Sequence, residues 1–583
     1  MAHLEKKIIK GHTYYYACQK GRINGKPRNI WQKYLGTVED IISAFKGKVI
    51  HLPKRVTADI AEFGGSAALL SIAERLRMVE IINDNIDEKP RVMSVGDYML
   101  LAALNRCLSP TSKNRLAEWY SKTCLPQILG FRQSQLTSQR FWDHMSLLNK
   151  EKIRMIEKQL SEQMIKEFKI ELGCLLYDTT NFFTFIDTFT KGSLSKRGKN
   201  KQGRTNLRQV NLALVVTKDF HIPLLHEIYP GNIHDAVEFG SITELLVNRY
   251  KTFSQKCEDI TIVFDKGNNS KENMELLFRT PFHFVGSLVP THYPQLLSIP
   301  ISKFKACKDE RLESIKTYRT TMEVFGVERT VVICHNDNLL ETQIKTLGAV
   351  LSKACKQLHC LQQSLKKAAK RKNGKKATFD GIKKKLDNIL SPRHLKDLIE
   401  VDLTKCKGNY SLSYTIKRSA VSHLINSLFG KKILFTNHDE WTDEQIVLAY
   451  HGQAAIEEAF KRMKDPHFVS WHPQWHWTDQ KIEVHGFYCV LALTLASLLR
   501  RELYLKGIKL SIPRMFELLK DIRQVALIYP FESHKKFKTK KSRRNITQSD
   551  QIILSSMTSL QKKIFKHLNL QKYFPVNATL SMS

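Results

Sequence analysis

Four polar side chains toward the end of the chain recur at the spacing of one helix face: Tyr450, Gln453, Glu457 and Lys464. Steps of seven residues correspond to two helical turns, and a step of four also returns to the same face. An aromatic ring, an amide, a carboxylate and an ammonium group on one face suit a site for a metal ion beside a phosphodiester. Taken alone, the pattern also fits an exposed helix face with a stray tyrosine.

Two aspartates upstream each follow a predicted buried strand. The apolar residues 172–177 predict a strand that ends at Asp178, and the β-branched residues 260–264 predict another that ends at Asp265. An acid after a strand is commonplace on its own. Together with Glu457, however, the two aspartates would form a carboxylate cage for hard divalent cations, since Mg²⁺ prefers oxygen ligands. Three carboxylates can hold two such ions when a substrate phosphate completes the coordination.

The three acids resemble the catalytic triad of the DDE transposases of prokaryotic insertion sequences. Tyr450, Glu457 and Lys464 match the Y-(2)-R-(3)-E-(6)-K signature of the insertion-sequence-four superfamily. One position departs from it, because Gln453 stands where the signature has arginine. Glutamine can hydrogen-bond a phosphate but brings neither the charge nor the planar fork of arginine.

The flanking sequence is similar to the sixteen-thirty-four group of that superfamily. The matching segments are residues 22–28, the Gly231-Asn232-Ile233-His234-Asp235 run, His476-Trp477, Lys481-Ile482 and His485. The resemblance covers roughly residues 1–505, and its most specific part is the spacing of the signature around Glu457.

The resemblance implies a transposase that cleaves DNA at transposon ends and joins the freed 3′-hydroxyl to target DNA. Asp178, Asp265 and Glu457 would be its catalytic residues and the ligands of two Mg²⁺ ions, for which Mn²⁺ is expected to substitute. Both steps are in-line phosphoryl transfers with oxygen nucleophiles, so one site serves for both. The implied partners are the double-stranded DNA of terminal inverted repeats and target, and a second copy of the chain on paired ends.

Several residues are candidates for DNA contacts. Tyr450, Gln453 and Lys464 would hold the terminal phosphate. A basic segment between the first two predicted strands offers further phosphate contacts, with a mobile loop as the alternative: Lys196, Arg197, Lys199, Lys201 and Arg204. Trp477, with its neighbours Trp471 and Trp475, is a candidate for stacking on an unpaired base. Packing in a core is the alternative for these tryptophans.

The composition agrees with a nucleic-acid partner. The chain has 92 Lys and Arg against 56 Asp and Glu, a formal charge of 92 − 56 = +36. Such an excess favours a polyanionic partner, and it attracts DNA through phosphate contacts and counterion release. A ribosomal or membrane-surface protein could share this charge. However, 42% hydrophobic residues over 583 positions indicate large folded cores rather than a basic tail.

Other features predict a soluble cytoplasmic protein with no membrane, and the resemblance implies a prokaryotic cytoplasm and association with the nucleoid. The eleven cysteines form no Cys-x-x-Cys pair, which fits reduced thiols and disfavours a zinc site. The N-terminus lacks the apolar core of a signal peptide. The longest apolar run, residues 487–499, has 13 residues and is too short to cross a bilayer, so it predicts a buried helix.

The predicted fold class is α/β, with a ribonuclease-H-like core made of a mixed five-stranded sheet and flanking helices. Strands are expected near residues 172–178, 209–217, 222–229, 259–265 and 283–288, and helices near 234–248 and 270–278. Three strands before the first helix, and then strand, helix and strand, is the order of that fold. Its first and fourth strands are neighbours, which would bring Asp178 beside Asp265.

Six regions are expected along the chain. They are an N-terminal β-hairpin region (1–50), a helical candidate DNA-binding domain (51–170), the first part of the core (171–290), a β-containing insertion (291–430), the second part of the core with the Glu457 helix (431–505) and a basic helical C-terminal region (506–583). A hairpin at 317–335 is expected inside the insertion, and one long helix is expected at 138–167.

Two rival functions remain open at this point. One is a ribonuclease-H-like nuclease that cuts DNA without strand transfer, and the other is a catalytically dead DNA-binding relic. Because all three acids and Lys464 are intact, the sequence favours an active enzyme over a relic.

Overall fold

The computed structural model describes residues 2–23, 26–45, 57–88, 92–187, 189–200, 202–250, 259–370, 378–406, 409–528 and 551–574. The chain divides into two compact units. The first comprises Met1–Ile60, Gln524–Ser556 and Pro575–Ser583, and the second comprises Ala61–Arg523 and Met557–Phe574.

The first unit contains two small three-stranded sheets. Elements are numbered along the whole chain, and those of this unit are β1 (Ala2–Ile9), β2 (His12–Ile23), β3 (Lys26–Gly36), α1 (Val38–Phe45), β4 (Thr57–Glu62), β16 (Arg523–Ile528) and β17 (Gln551–Leu554). The order in one sheet is β1-β2-β3 and in the other β17-β16-β4. The two strands of the expected N-terminal hairpin are therefore present with a third strand before them. The predicted turn at Asn24-Gly25 lies outside the described residues.

The second unit opens with helices. They are α2 (Gly64–Arg75), α3 (Met78–Asp84), α4 (Val95–Leu108), α5 (Lys113–Ser121), α6 (Leu125–Leu129), α7 (Ser138–Ser146) and α8 (Lys150–Phe168). Ser94 begins α4 with a capping box that pairs it with Asp97. The single helix expected at 138–167 is wrong: it is two helices, because the side chain of Asn149 accepts a hydrogen bond from the Lys152 N–H and starts α8 anew.

The main sheet of the second unit has nine strands. They are β5 (Cys174–Thr184), β6 (Arg208–Thr217), β7 (Pro223–Pro230), β8 (Thr261–Phe264), β9 (His283–Leu288), β10 (Lys305–Ala306), β11 (Ile315–Val324), β12 (Val327–Asn336) and β15 (Lys431–Thr436), in the order β10-β11-β12-β15-β9-β8-β5-β6-β7. Helices α9 (Asp235–Tyr250), α10 (Lys271–Phe278) and α11 (Pro294–Leu297) lie between these strands in sequence. The predicted α/β class is confirmed, whereas the sheet is larger than the five strands expected.

The pairing of β5 with β8 brings the two aspartates together. These strands are parallel, and Leu176 is the partner of Val263. Continuing that register by two residues puts Asp178 level with Asp265 on adjacent strands, where side chains of the same parity point to the same face. The expected end of the strand at Asp178 is wrong, because β5 runs on to Thr184 while it pairs with β6.

The hairpin expected inside the insertion belongs to the main sheet. Strand β12 pairs with β15, and β15 pairs with β9, so β11 and β12 extend the sheet beyond the five predicted strands. The remaining segment forms a separate cluster with its own apolar core. Its elements are α12 (Asp337–Ala369), α13 (Phe379–Ile389), α14 (Leu395–Leu398), β13 (Ile399–Cys406), β14 (Asn409–Ile416) and α15 (Arg418–Ser427).

Four helices complete the second unit: α16 (Asp443–Lys464), α17 (Asp479–Leu505), α18 (Ile512–Lys520) and α19 (Ser559–His567). By length and composition α17 could cross a membrane, but 94% of its most apolar window is buried inside this protein, against α2, α4 and β7. The predicted basic helical C-terminal region (506–583) contains the helices α18 and α19 but also two strands, because β16 and β17 pair with each other. The Lys- and Arg-rich residues 535–544 lie outside the described part of the chain.

Candidate active site

Helix α16 packs against β5, β8 and β9, and its exposed side opens on a cleft of about 490 Å³. Asp178 from β5 and Glu457 and Lys464 from α16 line this cleft. Glu457 is exposed, and Asp178 is half-buried and accepts a hydrogen bond from the Thr179 N–H at 2.8 Å. The structure therefore brings together one strand acid, the helix acid and the helix lysine that the sequence singles out.

Asp265 directly follows the neighbouring strand β8 and is held by two hydroxyl groups. The Tyr450 hydroxyl donates to its Oδ1 at 2.8 Å, and the Ser287 hydroxyl donates to the same oxygen at 2.8 Å. Burial alone would raise the pKa of Asp265, but hydrogen bonds from Ser287, Tyr450 and the Lys266 N–H outweigh burial and hold this pKa below its usual value. Asp265 is therefore fixed in its ionised form.

Ser287 is a site residue that the sequence reasoning missed. It lies in the buried strand β9 and is 2% exposed, its hydroxyl oxygen lies 3.0 Å from that of Tyr450, and it also accepts a hydrogen bond from the Lys266 N–H. A single hydroxyl inside the apolar run 282–288 was the available signal. Such a signal is weak, because most buried serines satisfy only their own backbone.

Tyr450 and Gln453 do not occupy the predicted phosphate-contact positions. Tyr450 is buried, and burial raises the pKa of its hydroxyl far above the usual value, so the proton stays in place for Asp265. Gln453 is 8% exposed, and its Nε2 donates to the carbonyl of Tyr177 at 3.0 Å and to that of Val263 at 2.9 Å. Both amide hydrogens are therefore used inside the protein.

Gln453 instead joins three elements. The Tyr177 carbonyl belongs to the residue before Asp178 on β5, and the Val263 carbonyl lies two residues before Asp265 on β8. The amide comes from α16, one helical turn before Glu457. One side chain thus bridges the two aspartate-bearing strands and the glutamate-bearing helix.

Lys464 ends the same helix in an accessible position. Its Nζ donates to Thr180 Oγ1 at 2.6 Å and lies 5.5 Å from the centre of the Phe182 ring. Both partners follow Asp178 along β5, so the ammonium group stands over the cleft beside this acid. This position fits the predicted phosphate contact.

The predicted basic segment borders the cleft. Four of its residues are exposed, namely Lys196, Arg197, Lys199 and Arg204, and Lys201 lies outside the described residues. Lys199 lines the cleft. The carboxylate of Asp479, at the start of α17, accepts hydrogen bonds from the N–H and hydroxyl of Ser193 and from the N–H of Leu194. The start of the segment is therefore anchored rather than free.

A glycine turn forms another wall of the cleft. Gly231, Asn232 and His234 line it, and a Cβ at Gly231 would lie 2.1 Å from the backbone oxygen of Gln209. The side chain of Gln209 also donates to the Gly231 carbonyl at 2.8 Å. Glycine is required here because the backbone of this turn passes directly over β6.

The three candidate tryptophans separate into two classes. Trp471 is fully buried and stacks on Phe182 with ring centres 4.2 Å apart, so its assignment to DNA is wrong. Trp475 and Trp477 are 63% and 53% exposed. Trp477 packs on Trp142 of α7 at 4.9 Å and presents the rest of its ring to solvent.

The oxygen ligands of the three carboxylates are of the type that a hard cation prefers. Among the described residues, no three His, Cys, Asp or Glu side chains are grouped closely enough to enclose a metal ion by themselves. Mg²⁺, however, is commonly bound through one or two carboxylates, with water and substrate phosphate as the other ligands. Asp178 and Glu457 in one cleft, with Asp265 on the adjacent strand, offer such an incomplete oxygen set.

One comparison with known proteins identifies a family for this part of the chain. A family model described as a transposase DDE domain matches residues 183–495, a segment that contains Asp265, Glu457 and Lys464 and begins five residues after Asp178. No curated protein sequence matches the chain significantly. Among solved structures, the chain is similar to a piggyBac transposase in a synaptic complex with hairpin DNA, with 12% identity and a TM-score of 0.35 over 78% of this chain and 79% of that chain.

Proposed function

The chain belongs to the transposase DDE-domain family, and on this premise we propose that it cleaves DNA at the ends of an insertion sequence and joins the freed 3′-hydroxyl to a second DNA strand. The observation that carries the proposal is the cleft in which Asp178, Glu457 and Lys464 meet. Asp265 directly follows β8, the parallel neighbour of β5, and continuing the register from Leu176 and Val263 puts it level with Asp178. Acids and a cation so arranged suit phosphoryl transfer between DNA strands, since this reaction needs charge stabilisation and positioning more than a protein nucleophile.

The proposed core is ribonuclease-H-like. The strand order β7-β6-β5-β8-β9, with β5 parallel to β8 and antiparallel to β6, supports this assignment. It also explains why two aspartates that are 87 residues apart in sequence, 265 − 178, meet at adjacent strands. Membership of the insertion-sequence-four superfamily, and with it a prokaryotic host, is part of the same proposal.

The site residues fall into two groups in the proposed reaction, those that would hold cations and those that orient Asp265. Asp178, Asp265 and Glu457 would hold divalent cations, two Mg²⁺ or in their place Mn²⁺, whose chemistry is to stabilise the attacking and leaving oxygens. Tyr450 and Ser287 keep Asp265 ionised and oriented.

Basic side chains bind and orient the substrate in this proposal. Lys464 and the exposed residues Lys196, Arg197, Lys199 and Arg204 bind phosphates of the DNA and orient the strand in the cleft. The substrates are the terminal inverted repeats of the element and target DNA. A homodimer on paired ends belongs to the same proposal.

A cleavage assay with purified variants tests this function. Asp178→Asn and Glu457→Gln should each lower the rate of Mg²⁺-dependent cutting at the element's end by at least about a hundredfold, because each replaces a charged carboxylate ligand with a neutral amide and so weakens the binding of a cation that supplies several kcal/mol of charge stabilisation. Binding of the same DNA should persist or tighten, since a negative charge leaves a polyanion site.

Glu458→Gln is the matched control. Glu458 is adjacent to Glu457 but pairs with Arg462 and does not line the cleft, so this variant should cut normally. Undiminished cutting by Asp178→Asn or Glu457→Gln would contradict the proposed site. Cutting without any joined product would favour the nuclease alternative, and DNA binding without cutting by the wild-type chain would favour the relic.

A further inference from the structure

A second pocket, of about 240 Å³, opens beside Asp265 and shares no lining residue with the cleft of Asp178 and Glu457. Asp265, Ser287 and Tyr450 form one part of its wall. The opposite part comes from the segment between β12 and β15, including Gln343 of α12 and Arg393, which lies just before α14. The pocket therefore connects the inserted helices to the proposed reaction centre.

Three exposed cations line this pocket: Lys266, Arg393 and Lys432. Lys266 directly follows Asp265, and the Nζ of Lys432 lies 4.8 Å from the centre of the Tyr450 ring. Among the described residues, none of the three makes an ion pair within 4.0 Å, although the charge of Lys266 helps to lower the pKa of the adjacent Asp265. Asp265 is the single acid among the described residues that line the pocket, so the lining carries an excess of positive charge.

The third lysine of the lining has a different function. Lys431 is buried, and its Nζ donates to the carbonyls of Leu297 and Ile299, so its charge is already engaged by the protein. Lys431 is therefore a structural lysine, whereas Lys266, Arg393 and Lys432 are exposed in the pocket.

We propose that this pocket binds one phosphate group of a DNA strand next to the phosphodiester that reacts in the cleft. The inference rests on the proposed function. An arginine and two lysines against a single acid in one pocket fit a phosphate, because the guanidinium binds its oxygens in pairs and the ammonium groups add charge. Asp265 lines this pocket and also belongs to the proposed reaction centre. A DNA strand bound in the cleft would therefore be the nearest source of a phosphate, so the ligand is DNA rather than a free anion.

The phosphate can come from the element's own end or from the target, and the two sources separate in experiment. The first arm measures binding of a labelled duplex that ends in the inverted repeat flanking the reading frame, over a series of salt concentrations. Arg393→Gln should lower the slope of log K against log salt by about 0.9, the value for one lost phosphate contact on B-DNA. Lys266→Gln should lower it similarly, and the double variant should lose no more than one contact, since both cations hold one phosphate.

The second arm uses a pre-cleaved end and supercoiled plasmid as target. If the phosphate belongs to the target strand, Arg393→Gln leaves the slope for the end duplex unchanged and raises the plasmid concentration needed for half-maximal joining. Lys384→Gln is the matched control in both arms, because Lys384 is exposed on α13 and does not line the pocket. Lys432 is left unchanged because it covers the Tyr450 ring.

A crosslinking measurement gives an independent readout. The full chain with p-benzoylphenylalanine in place of Arg393 should crosslink to the DNA strand on irradiation, and the same replacement of Lys384 should not. Wild-type behaviour of Arg393→Gln in both arms, together with no crosslink from position 393, would overturn the inference while leaving the cleft assignment intact. Absence of cutting and joining by the wild-type chain would instead overturn the proposed function, whatever position 393 does.

Discussion

At the scale of single residues, the state of Asp265 is the most informative feature. Two hydroxyl groups, from Tyr450 and Ser287, donate to the same carboxylate oxygen. A carboxyl whose folded-state pKa is depressed stabilises the fold above its unfolded pKa, and this contribution is lost as pH falls through the folded value. The two hydrogen bonds lower the pKa of Asp265 and so favour its ionised form at neutral pH, which is the form that a cation ligand requires.

Tyr450→Phe should therefore move the acid limb of the pH–rate profile to higher pH. The change removes one hydrogen bond to the Asp265 carboxylate and so raises its pKa, which protonates the acid at a pH where the wild type is still active. The measurement is the rate of end cleavage at saturating DNA across the acid range.

Tyr504→Phe, on α17 and away from the site, serves as the control and should keep the wild-type profile. A Tyr450→Phe profile that differs from wild type only by a uniform loss of rate would mean that Tyr450 does not set the ionisation of Asp265.

At the scale of elements, Gln453 holds helix α16 in its position on the sheet. Its amide donates hydrogen bonds to carbonyls of both β5 and β8 just before their aspartates. Gln453→Ala should lower the free energy of unfolding by about 1–3 kcal/mol, since it leaves buried carbonyls without this donor. Cleavage should fall further than DNA binding, because the three acids lose their common anchor.

Gln453→Arg gives the sharpest comparison at this position. If the residue were a phosphate contact, arginine would tighten DNA binding and steepen its salt dependence. The buried amide predicts the reverse, a less stable protein with no steeper salt dependence. Urea unfolding and salt-dependent binding of both variants, beside Glu458→Gln, distinguish the two outcomes.

The helix-face reasoning was right about which residues share a side of α16 and wrong about how deep they lie. Periodicity places Tyr450, Gln453, Glu457 and Lys464 on one side, but this side packs on the sheet at its beginning and faces the cleft only toward its end. Depth depends on the angle between helix and sheet, which no local pattern encodes. The exposed position of Lys464 and the burial of Gln453 therefore had to come from the structure.

For the strands as well, the local features could be predicted from the sequence and the long-range arrangement could not. The five predicted strands are present because runs of β-branched and apolar residues identify buried strands locally. The membership of β11 and β12 in the same sheet depends on their pairing through β15, about a hundred residues later in the chain. Such long-range pairing leaves no periodic signal, so the hairpin was assigned to the insertion.

At the scale of the whole molecule, charge and fold support the same conclusion. An excess of 36 positive charges makes association with DNA strongly dependent on salt. The acids of the cleft are a local exception in this basic chain, which is the arrangement expected where cations and phosphate must meet in one place. Binding alone would not require these acids, so joining chemistry is what separates a transposase from a basic DNA-binding protein.

Strand joining by the purified full chain tests the central claim most directly. A duplex with the element's end and a free 3′-hydroxyl is incubated with supercoiled plasmid, and covalently joined product is measured with Mg²⁺ and with EDTA. The proposal predicts joined product with Mg²⁺, none with EDTA, and none with Asp265→Asn under either condition. Joining that persists in EDTA or in Asp265→Asn would contradict it, as would a wild-type chain that binds both DNAs and never joins them.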